Sequence, residues 1–542
     1  MVASIAYDCL AMGRLVERHA RYRPRHAAVI APAGEREIRL DWRGFDGYVN
    51  RWANALASLG VVRGDRVATV LPNTIELLAT YWACAKLGAA AVPLSPLLNP
   101  DGLASLLADA APKVVLASGD QRAMLDATRA RGAAGDAAWV LIDSPAAASA
   151  ADYRSYARLW GEAPDTAPGV EVSADDLLTI MYTSGTTGLP KAAMLTHGCV
   201  MAAMSQGQAW TTPYTKPGTE KVVCVLPLFH IYALSGIMLG AVRNGNQLIL
   251  YPRPDIDMIV TDLAKKKPTF LPGVPTLYTA INKHPKAQGL DLSSLKICMS
   301  GGAPLPVEVQ QSFEKLTGAT LIEGYGLTET SPTGAICPVD KSVRRVGSCG
   351  VPMPGTVIEI RDMENGDKVL PPGKEHVGEV CIIGPQVMKG YWKKPEETEK
   401  VLFRHPSSNW MGLRTGDMGY MDADGWLYLV DRSKDLIISS GYNVYPRMIE
   451  EAVYEHPAVD EVIVIGIPDP YRQEAPKVFV KLKPGASLTF EELKKHLDGK
   501  IGKHEMPVAL EIRPELPKTP VGKLSKKELK EEERAKAQSK AA

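Results

Sequence analysis

The sequence predicts an α/β protein with a large multi-layer N-terminal domain of α/β subdomains, a β-rich subdomain, and a small α+β C-terminal domain. Three observations predict this fold class. The 542 residues exceed what one ordinary core organises, so two or three domains are expected. Short β-branched runs alternate with helical periodicity over most of the length, which is typical of parallel α/β layers. The texture then changes twice, after Gly347 and near Asp431.

Each element follows from its local pattern. Apolar runs bounded by turn residues predict strands at Arg66–Leu71, Val114–Ala117, Trp139–Ile142, Leu177–Tyr182, Val222–Val225, Gln247–Leu250, Thr269–Leu271, Lys296–Met299 and Thr320–Ile322. Amphipathic segments predict helices at Asp46–Leu59, Ile75–Leu87, Asp257–Lys266 and Pro306–Leu316. Glycine-bounded strands at Val357–Ile360, Gly378–Ile383 and Trp426–Leu429 predict the β-rich subdomain. A compact unit follows, with helices at Arg447–Tyr454 and Thr489–Ile501 and strands at Val459–Gly466 and Lys477–Leu482.

The domain boundary is predicted between residues 433 and 434, giving domains 1–433 and 434–542. The second domain ends in a basic tail of helix-forming composition, which we expect to be a solvated, fraying helix rather than a contact for a membrane or CoA. Two long apolar runs, Leu77–Leu94 and Val222–Val242, are broken by Lys86, Pro93, Pro227 and similar residues. They predict buried elements rather than transmembrane spans.

Composition excludes several classes of protein. With 62 Lys and Arg against 61 Asp and Glu, the formal net charge of +1 gives no electrostatic basis for nucleic acid binding. The eight cysteines have no spacing suited to zinc, so we expect reduced, mostly buried thiols. Met1–Arg14 lacks the pattern of a signal peptide, which predicts a cytoplasmic protein. A weak peripheral membrane contact and a homodimer stay open.

A glycine- and hydroxyl-rich loop follows the strand Leu177–Tyr182. Its sequence TSGTTGLPK contributes Thr183, Ser184, Gly185, Thr186, Thr187, Gly188 and Lys191. Glycines permit positive φ and bring backbone N–H groups close to an anion, while the hydroxyls and the lysine add donors. The spacing differs from that of the P-loop. We therefore predict a polyphosphate site rather than a flexible turn, with a helix starting near Thr196.

This loop resembles the signature loop of the adenylate-forming enzymes, which include acyl-CoA synthetases, firefly luciferases and the adenylation domains of peptide synthetases. Ala192 stands where that family usually has glycine. Further motifs of the family follow in order, so the resemblance spans about Trp42 to Lys523. It is closest to the acyl-CoA synthetase, or fatty-acid–CoA ligase, type and implies that the small C-terminal domain is mobile.

Two motifs that follow predicted strands have residues suited to binding a nucleotide. Ser300–Pro304 presents a flat surface poor in side chains, and Glu323–Glu329 brings together an aromatic ring, a hydroxyl and a carboxylate that can stack on a base, contact phosphate and hold Mg²⁺. The resemblance implies that Gly302, Ala303, Pro304, Tyr325 and Gly326 border the adenine, that Thr328 contacts the α-phosphate and that Glu329 binds the metal.

Four charged residues in and near the C-terminal domain complete the set. Asp417 of the TGD motif can accept from both ribose hydroxyls, and Arg432 can hold a ribose oxygen or phosphate, an ordinary surface ion pair being the alternative. Two prolines and a glycine between Leu516 and Lys523 favour a defined turn that presents Lys523. By resemblance, Asp417 binds ribose, Lys434 is the hinge, and Lys523 neutralises the reacting carboxylate and α-phosphate.

The resemblance implies a two-step reaction that uses ATP, Mg²⁺ and CoA. A carboxylate attacks the α-phosphorus to give acyl-AMP and pyrophosphate, and the CoA thiol then displaces AMP. Both steps need positioning and charge neutralisation rather than a nucleophilic side chain, in accord with the lack of a GxSxG elbow. Lys523, Thr328 and Glu329 are the predicted catalytic residues, and Gly441 belongs to the face predicted to admit pantetheine.

The acid pocket is predicted from His230, which matches a pocket residue of acyl-CoA synthetases, together with Gly301 and Gly326; a buried core histidine is the alternative. Small or pliable residues follow at Gly236, Met238, Gly240 and Ala241, and the segment Gly384–Tyr391 is frequent in fatty-acyl enzymes. We expect a medium- or long-chain fatty acid. An aryl-acid or dicarboxylate CoA ligase, an acyl-AMP ligase that loads a carrier protein, and a non-catalytic homologue are the alternatives.

Overall fold

The computed structural model describes residues 11–33, 36–142, 152–183, 190–432, 435–439, 442–469, 471–519 and 523–541. The chain divides into two compact units. Unit 1 comprises Met1–Arg344, Pro352–Val357 and Ile382–Leu413, and unit 2 comprises Arg345–Val351, Ile358–Cys381 and Arg414–Ala542. The domain boundary predicted between residues 433 and 434 stays a prediction.

The described residues form helices at α1 Gly13–Tyr22, α2 Trp42–Ser58, α3 Ile75–Leu87, α4 Pro100–Ala110, α5 Arg122–Arg129, α6 Tyr156–Glu162, α7 His197–Thr211, α8 Gly240–Arg243, α9 Ile256–Lys266, α10 Pro275–Lys283, α11 Val307–Thr317, α12 Pro395–Val401, α13 Pro446–Tyr454, α14 Phe490–Leu497 and α15 Lys527–Ala541. Local sequence explains their ends. The Thr74 side chain accepts from the Leu77 N–H at the start of α3, and Gly88 ends that helix with a φ of 66°.

The strands are β1 Ala27–Ala33, β2 Arg36–Asp41, β3 Arg66–Val70, β4 Ala90–Leu94, β5 Val114–Ser118, β6 Ala138–Ile142, β7 Arg154–Ser155, β8 Leu177–Tyr182, β9 Ala192–Thr196, β10 Lys221–Cys224, β11 Gln247–Leu250, β12 Phe270–Gly273, β13 Ile297–Gly301, β14 Thr320–Tyr325, β15 Ala335–Ile336, β16 Val351–Pro352, β17 Val357–Arg361, β18 Gly378–Ile383, β19 Gly390–Tyr391, β20 Leu402–Arg404, β21 Met411–Met421, β22 Leu427–Arg432, β23 Ile437–Ser439, β24 Tyr442–Val444, β25 Val459–Asp469, β26 Gln473–Leu482 and β27 Ala509–Ile512.

Unit 1 contains two largely parallel sheets. One has the strand order β19-β9-β8-β4-β3-β5-β6-β7, and the other runs β15-β14-β13-β12-β10-β11-β1-β2 within the unit. β3, β4, β5 and β6 pair in parallel, whereas β8 and β9 form an antiparallel pair. The predicted α/β fold class is confirmed, and the predicted strands lie within a few residues of the observed ones.

The apolar runs tested for membrane insertion are buried elements. α3 is enclosed along most of its length and leads into the buried strand β4, and the second run supplies β10, α8 and the segment between them. In the described part of the chain no helix is long and apolar enough to span a bilayer. The seven cysteines that the structure describes are free and buried, as predicted.

Unit 2 has its own core around the antiparallel pair β25–β26, which β27 joins in parallel. The basic tail is not the solvated, fraying helix that its composition predicts. Leu529 of α15 is fully buried against Ile463, Ile465 and Phe479, and Lys530 pairs with Asp435 at 2.6 Å. Apolar contact and ion pairs therefore hold the start of this helix on unit 2.

Candidate active site

The ends of the predicted phosphate loop are joined across the β8–β9 pair. The Thr183 N–H donates to the Lys191 carbonyl at 2.7 Å, and the Thr183 hydroxyl reaches the same oxygen at 3.2 Å. Ser184, Gly185, Thr186, Thr187 and Gly188 lie outside the described residues. The predicted helix start is confirmed, because the Thr196 side chain caps α7. The strand β9 between loop and helix was not predicted.

The side chain of Lys191, at the end of this loop, contacts Glu397 and Tyr391. Its Nζ atom lies 2.6 Å from Oε2 of Glu397, in the first turn of α12, and 5.1 Å from the centre of the Tyr391 ring. Hydrogen bonds from Lys191 and then Lys400 lower the pKa of Glu397 to about 2, so this carboxylate is ionised across the physiological range. The predicted phosphate-binding lysine thus already holds an anionic group.

Glu329 lies beside the same tyrosine. It belongs to a short 3₁₀ turn, Thr328–Thr330, that follows β14, and its Oε1 atom accepts a 2.8 Å hydrogen bond from the Tyr391 hydroxyl. Its backbone carbonyl accepts from the Met388 N–H at 2.8 Å. Thr328 and Glu329 are half-buried. Tyr391 therefore joins the two residues for which polyphosphate and metal roles are predicted.

The donor set around Glu329 bears on the metal. Among the residues that the structure describes, no group of three or more His, Cys, Asp or Glu is arranged to hold an ion. Mg²⁺ does not need such a group, because it commonly binds through one or two carboxylates, substrate phosphates and water. A single half-buried carboxylate fits that mode of binding and does not fit a protein-only metal site.

Two of the predicted acid-pocket residues of unit 1, His230 and Gly301, lie next to Tyr232. Its ring lies 3.3 Å from where a Cβ on Gly301 would stand, and its hydroxyl donates to the Met299 carbonyl at 2.6 Å. A Cβ on Gly326 would stand 1.6 Å from the Pro332 carbonyl oxygen, so only glycine fits there. The remaining predicted residues lie at the ends of β13 and β14, where Gly302 and Pro304 are exposed and Ala303 and Tyr325 are half-buried.

His230 precedes a π-helical segment, Tyr232–Leu239, that the sequence did not predict. The Tyr232 N–H donates to its Nδ1 at 3.3 Å, and the ring is half-buried, which contradicts a fully enclosed core histidine. Gly236 is exposed and its Cβ position lies 3.2 Å from the Tyr232 ring. Met238 and Ala241, also noted in the sequence as pliable or small, are both buried in the core.

In unit 2, Asp417 of β21 stands opposite Arg432 of β22. Arg432 Nε lies 3.2 Å from Asp417 Oδ1, and Asp417 is buried whereas the arginine side chain is 55% exposed. Gly416, directly before Asp417 in the strand, has a φ of 71°, which favours glycine. The pair therefore places a buried carboxylate, which accepts hydrogen bonds, next to an exposed planar guanidinium, which donates them.

Lys523 stands at the end of the turn predicted to present it. Its carbonyl accepts from the Thr519 N–H at 2.7 Å, and Lys518 and Leu524 form an antiparallel bridge. Burial, followed by the nearby positive charge of Arg432, lowers the pKa of Lys523 to about 8. Asp417, Arg432 and Lys523 thus form a second set in unit 2, while Lys434 and Gly441 lie outside the described residues.

Sequence reasoning missed the contacts of Tyr391 and Glu397. Tyr391 belongs to the segment Gly384–Tyr391, which the sequence links only to fatty-acyl enzymes. No motif in the sequence indicates a role for Glu397. Both are separated from Lys191 and Glu329 by tens of residues or more. The position of Tyr391 next to a glycine, at the end of the segment Gly384–Tyr391, is the one sequence feature that could have pointed to it.

Comparison with known proteins identifies the family of the chain. The AMP-binding enzyme family model matches residues 16–392, and that of the AMP-binding enzyme C-terminal domain matches residues 448–523. A long-chain-fatty-acid–CoA ligase of Bacillus subtilis (strain 168) is 40% identical over 497 residues, 88% of this chain and 86% of that protein.

Two solved structures are similar over nearly the whole length. ATP-bound MatB from Rhodopseudomonas palustris has a TM-score of 0.85 and 29% identity, covering 96% of this chain and 98% of that one. The anthranilate CoA ligase AuaEII in complex with anthranoyl-AMP has a TM-score of 0.87 and 26% identity, covering 97% and 98%. The chain therefore belongs to the AMP-binding enzymes, the adenylate-forming family that its motifs predict.

Proposed function

We propose that this protein is an AMP-forming acyl-CoA ligase that activates a medium- or long-chain fatty acid with MgATP and transfers the acyl group to CoA. The observation that carries the proposal is the meeting of Lys191 and Glu329 on Tyr391, since a loop lysine and a carboxylate brought to one point suit a metal-bound polyphosphate. Membership of the adenylate-forming family and the fatty-acid ligase relative support it.

In the first step, an oxygen of the acid attacks the α-phosphorus, and the bond from that phosphorus to the pyrophosphate oxygen breaks. Thr328 contacts the α-phosphate, Lys191 and the Thr183–Lys191 loop hold the departing phosphates, and Lys523 offsets charge on the reacting carboxylate and phosphate. Asp417 and Arg432 orient the ribose. All of these groups act by position and charge, and none forms a covalent bond to substrate.

Glu329 is the residue that would hold Mg²⁺. When bound, the ion supplies charge neutralisation for the phosphates, which the protein's own cations provide only in part. The hydrogen bond from Tyr391 fixes Oε1 of Glu329 and orients the carboxylate.

In the second step, the CoA thiolate attacks the acyl carbon of acyl-AMP and AMP leaves. We propose that the C-terminal domain turns about Lys434 between the steps and that Gly441 borders the pantetheine path, as in the family this chain resembles. A cytoplasmic location is part of the proposal.

The choice of acid rests on unit 1. His230, Gly301 and Gly326 are the proposed lining residues, and the exposed Gly236 beside Tyr232 adds no side chain that would obstruct an alkyl chain. The fatty-acid ligase of Bacillus subtilis supports a long chain. An aryl acid, a dicarboxylic acid or carrier-protein loading are weaker alternatives, and the same measurement distinguishes them.

The test is pyrophosphate release from purified full-length protein with acids of 2 to 18 carbons, aryl acids and dicarboxylic acids, each with and without CoA. We expect release with fatty acids and thioester formation when CoA is present. Pyrophosphate release without a thioester would indicate an acyl-AMP ligase. Pyrophosphate release with aryl acids alone would show that the substrate is an aryl acid and not a fatty acid. No release with any acid would overturn the proposal.

A further inference from the structure

The segment Gly384–Tyr391 enters the steps above only through the hydrogen bond from Tyr391 to Glu329, yet Tyr391 contacts Lys191 as well. The Tyr391 hydroxyl donates to Glu329, and its ring lies under Lys191. Its backbone is fixed as well, because Tyr391 pairs with Ala193 of β9 and its N–H donates to the Thr398 hydroxyl at 2.9 Å. The ring therefore holds a set position relative to the strand that leaves the phosphate loop.

We propose that Tyr391 is a positioning residue that sets Glu329 and Lys191 for the metal-bound polyphosphate, and that Glu397 holds Lys191 until the polyphosphate replaces it. The inference rests on the proposed function, because it assumes that Lys191 and Glu329 serve ATP.

The hydroxyl of Tyr391 selects one orientation of Glu329. A carboxylate has two oxygens, and the bond to Oε1 at 2.8 Å restricts rotation about the terminal torsion of the side chain. With one orientation fixed beforehand, the carboxylate loses less conformational freedom when it binds an ion. Removal of the hydroxyl should therefore weaken binding of the metal-bound nucleotide and leave binding of the metal-free nucleotide unchanged.

Glu397 resembles the expected ligand of Lys191 in charge and in acceptor atoms. Its carboxylate accepts from Lys191 at 2.6 Å and also from Lys400 at 2.6 Å, on the exposed side of α12. The ammonium is thus kept next to the Tyr391 ring, and no long side chain must be ordered when a phosphate arrives. A polyphosphate carries more charge than one carboxylate and can displace Glu397. The displaced carboxylate still has Lys400 as a partner.

These contacts predict opposite effects for two variants. Tyr391→Phe keeps the ring under Lys191 and removes only the hydroxyl. We expect Mg·α,β-methylene-ATP to bind about tenfold more weakly to this variant in calorimetry, with unchanged affinity for the same analogue in EDTA. Glu397→Gln removes a competitor for Lys191, so we expect inorganic pyrophosphate to bind severalfold more tightly. Neither readout requires turnover.

Matched controls separate positioning from general damage. Glu396→Gln changes the exposed neighbour of Glu397 on the same helical turn and should alter no affinity. Lys191→Met should weaken pyrophosphate binding in the wild-type and in the Glu397→Gln background. Thermal unfolding of each variant shows whether it folds, and Glu397→Gln tests the proposal separately if Tyr391→Phe is unstable.

The outcomes are distinct. Equal loss of nucleotide affinity with Mg²⁺ and with EDTA in Tyr391→Phe, or no loss in either, would overturn the positioning role of Tyr391. Pyrophosphate binding weakened by Glu397→Gln would overturn the holding role of Glu397. A wild-type protein that binds neither probe would overturn this inference together with the proposed function, whereas wild-type binding unaffected by both variants overturns this inference alone.

Discussion

The two lysines predicted to face the substrate have opposite electrostatic surroundings. Lys191, in unit 1, is paired with Glu397 at 2.6 Å and lies over the Tyr391 ring. Lys523, in unit 2, is half-buried near the guanidinium of Arg432, and desolvation followed by this neighbouring positive charge lowers its pKa to about 8. One lysine has its charge balanced in the protein itself, and the other is next to a charge of the same sign.

The difference indicates what each lysine can contribute. A lysine that exchanges one anion for another gains little net energy, so Lys191 is suited to positioning phosphates that are present in substrate and product alike. A lysine held near another cation gains most when negative charge approaches or develops beside it. Lys523 is therefore the residue whose removal should affect the adenylation step most strongly.

The largest effect is expected for Lys523→Ala. A cation about 4 Å from developing charge is worth on the order of 4 kcal/mol at an effective dielectric of about 20, so acyl-AMP formation should fall by about a thousandfold. Thioester formation from supplied acyl-AMP and CoA should be retained. Single-turnover assays of each half-reaction measure the two effects.

Lys518→Ala is the matched control, because Lys518 lies on the same turn and pairs with Glu461 on the outside of unit 2. This variant should keep both half-reactions. Equal losses of the two half-reactions in Lys523→Ala would contradict the contrast between the two lysines, as would a Lys191→Met variant with the same loss confined to adenylation.

A smaller effect is expected for Asp417→Ala, which removes the buried carboxylate that accepts from Arg432. Hydrogen bonds to a charged acceptor contribute about 1.5 to 3 kcal/mol, so the KM for ATP should rise by roughly 10- to 100-fold. The KM for the acid should change little. A rise in the acid KM as large as that for ATP would show that unit 2 does not act on the nucleotide alone.

A third variant, Gly236→Val, tests the acid-binding part of unit 1. Its Cβ would stand 3.2 Å from the Tyr232 ring, and the branched methyl groups would occupy the exposed space next to Pro332. We expect kcat/KM for an 18-carbon acid to fall by about tenfold relative to that for a four-carbon acid, with an unchanged KM for ATP. An equal fall in kcat/KM for both acids would show that Gly236 does not line the path of the acyl chain.

The fold was largely predictable because its signals are local. Alternating apolar runs predicted most strands of unit 1, and Thr196 caps a helix where a helix start was expected. The π-helical segment Tyr232–Leu239 was not predictable, because its period differs from those by which α-helices and strands are recognised in a sequence. The docked tail was missed for a different reason. Its composition is polar, and the helix packs through the burial of Leu529 together with long-range ion pairs such as Lys530 with Asp435.

The residue types of the candidate site were proposed from the sequence, and their contacts were only partly expected. Short motifs, which depend on local order along the chain, led to Glu329, Asp417 and Lys523, whose roles stay predictions. Tyr391 and Glu397 reach Lys191 through the pairing of β19 with β9 and through the start of α12, and sequence alone does not reveal such long-range pairing. The low pKa of Lys523 likewise depends on burial and then on Arg432, 91 positions earlier in the chain, and no spacing rule reveals either.

The smallest effect, and the most direct test of the contrast between the lysines, is the pH dependence of adenylation. In its proposed role Lys523 acts in its protonated form. Because burial and Arg432 lower its pKa to about 8, kcat/KM for adenylation should be level at pH values well below 8 and decline above pH 8. From pH 8 to 9 the decline should approach fivefold. Thioester formation from supplied acyl-AMP should show no descending limb over that range.

Arg432→Met sharpens this measurement. Loss of the neighbouring positive charge removes one of the two causes of the low pKa, so the descending limb should move to higher pH even where the overall rate is reduced. The quantity to compare is the pH at which kcat/KM declines, and not the maximum value of kcat/KM, because Arg432 also has a proposed role at the nucleotide. A limb that stays in place or moves to lower pH would mean that a group other than Lys523 titrates, and the contrast with Lys191 would then lose its electrostatic basis.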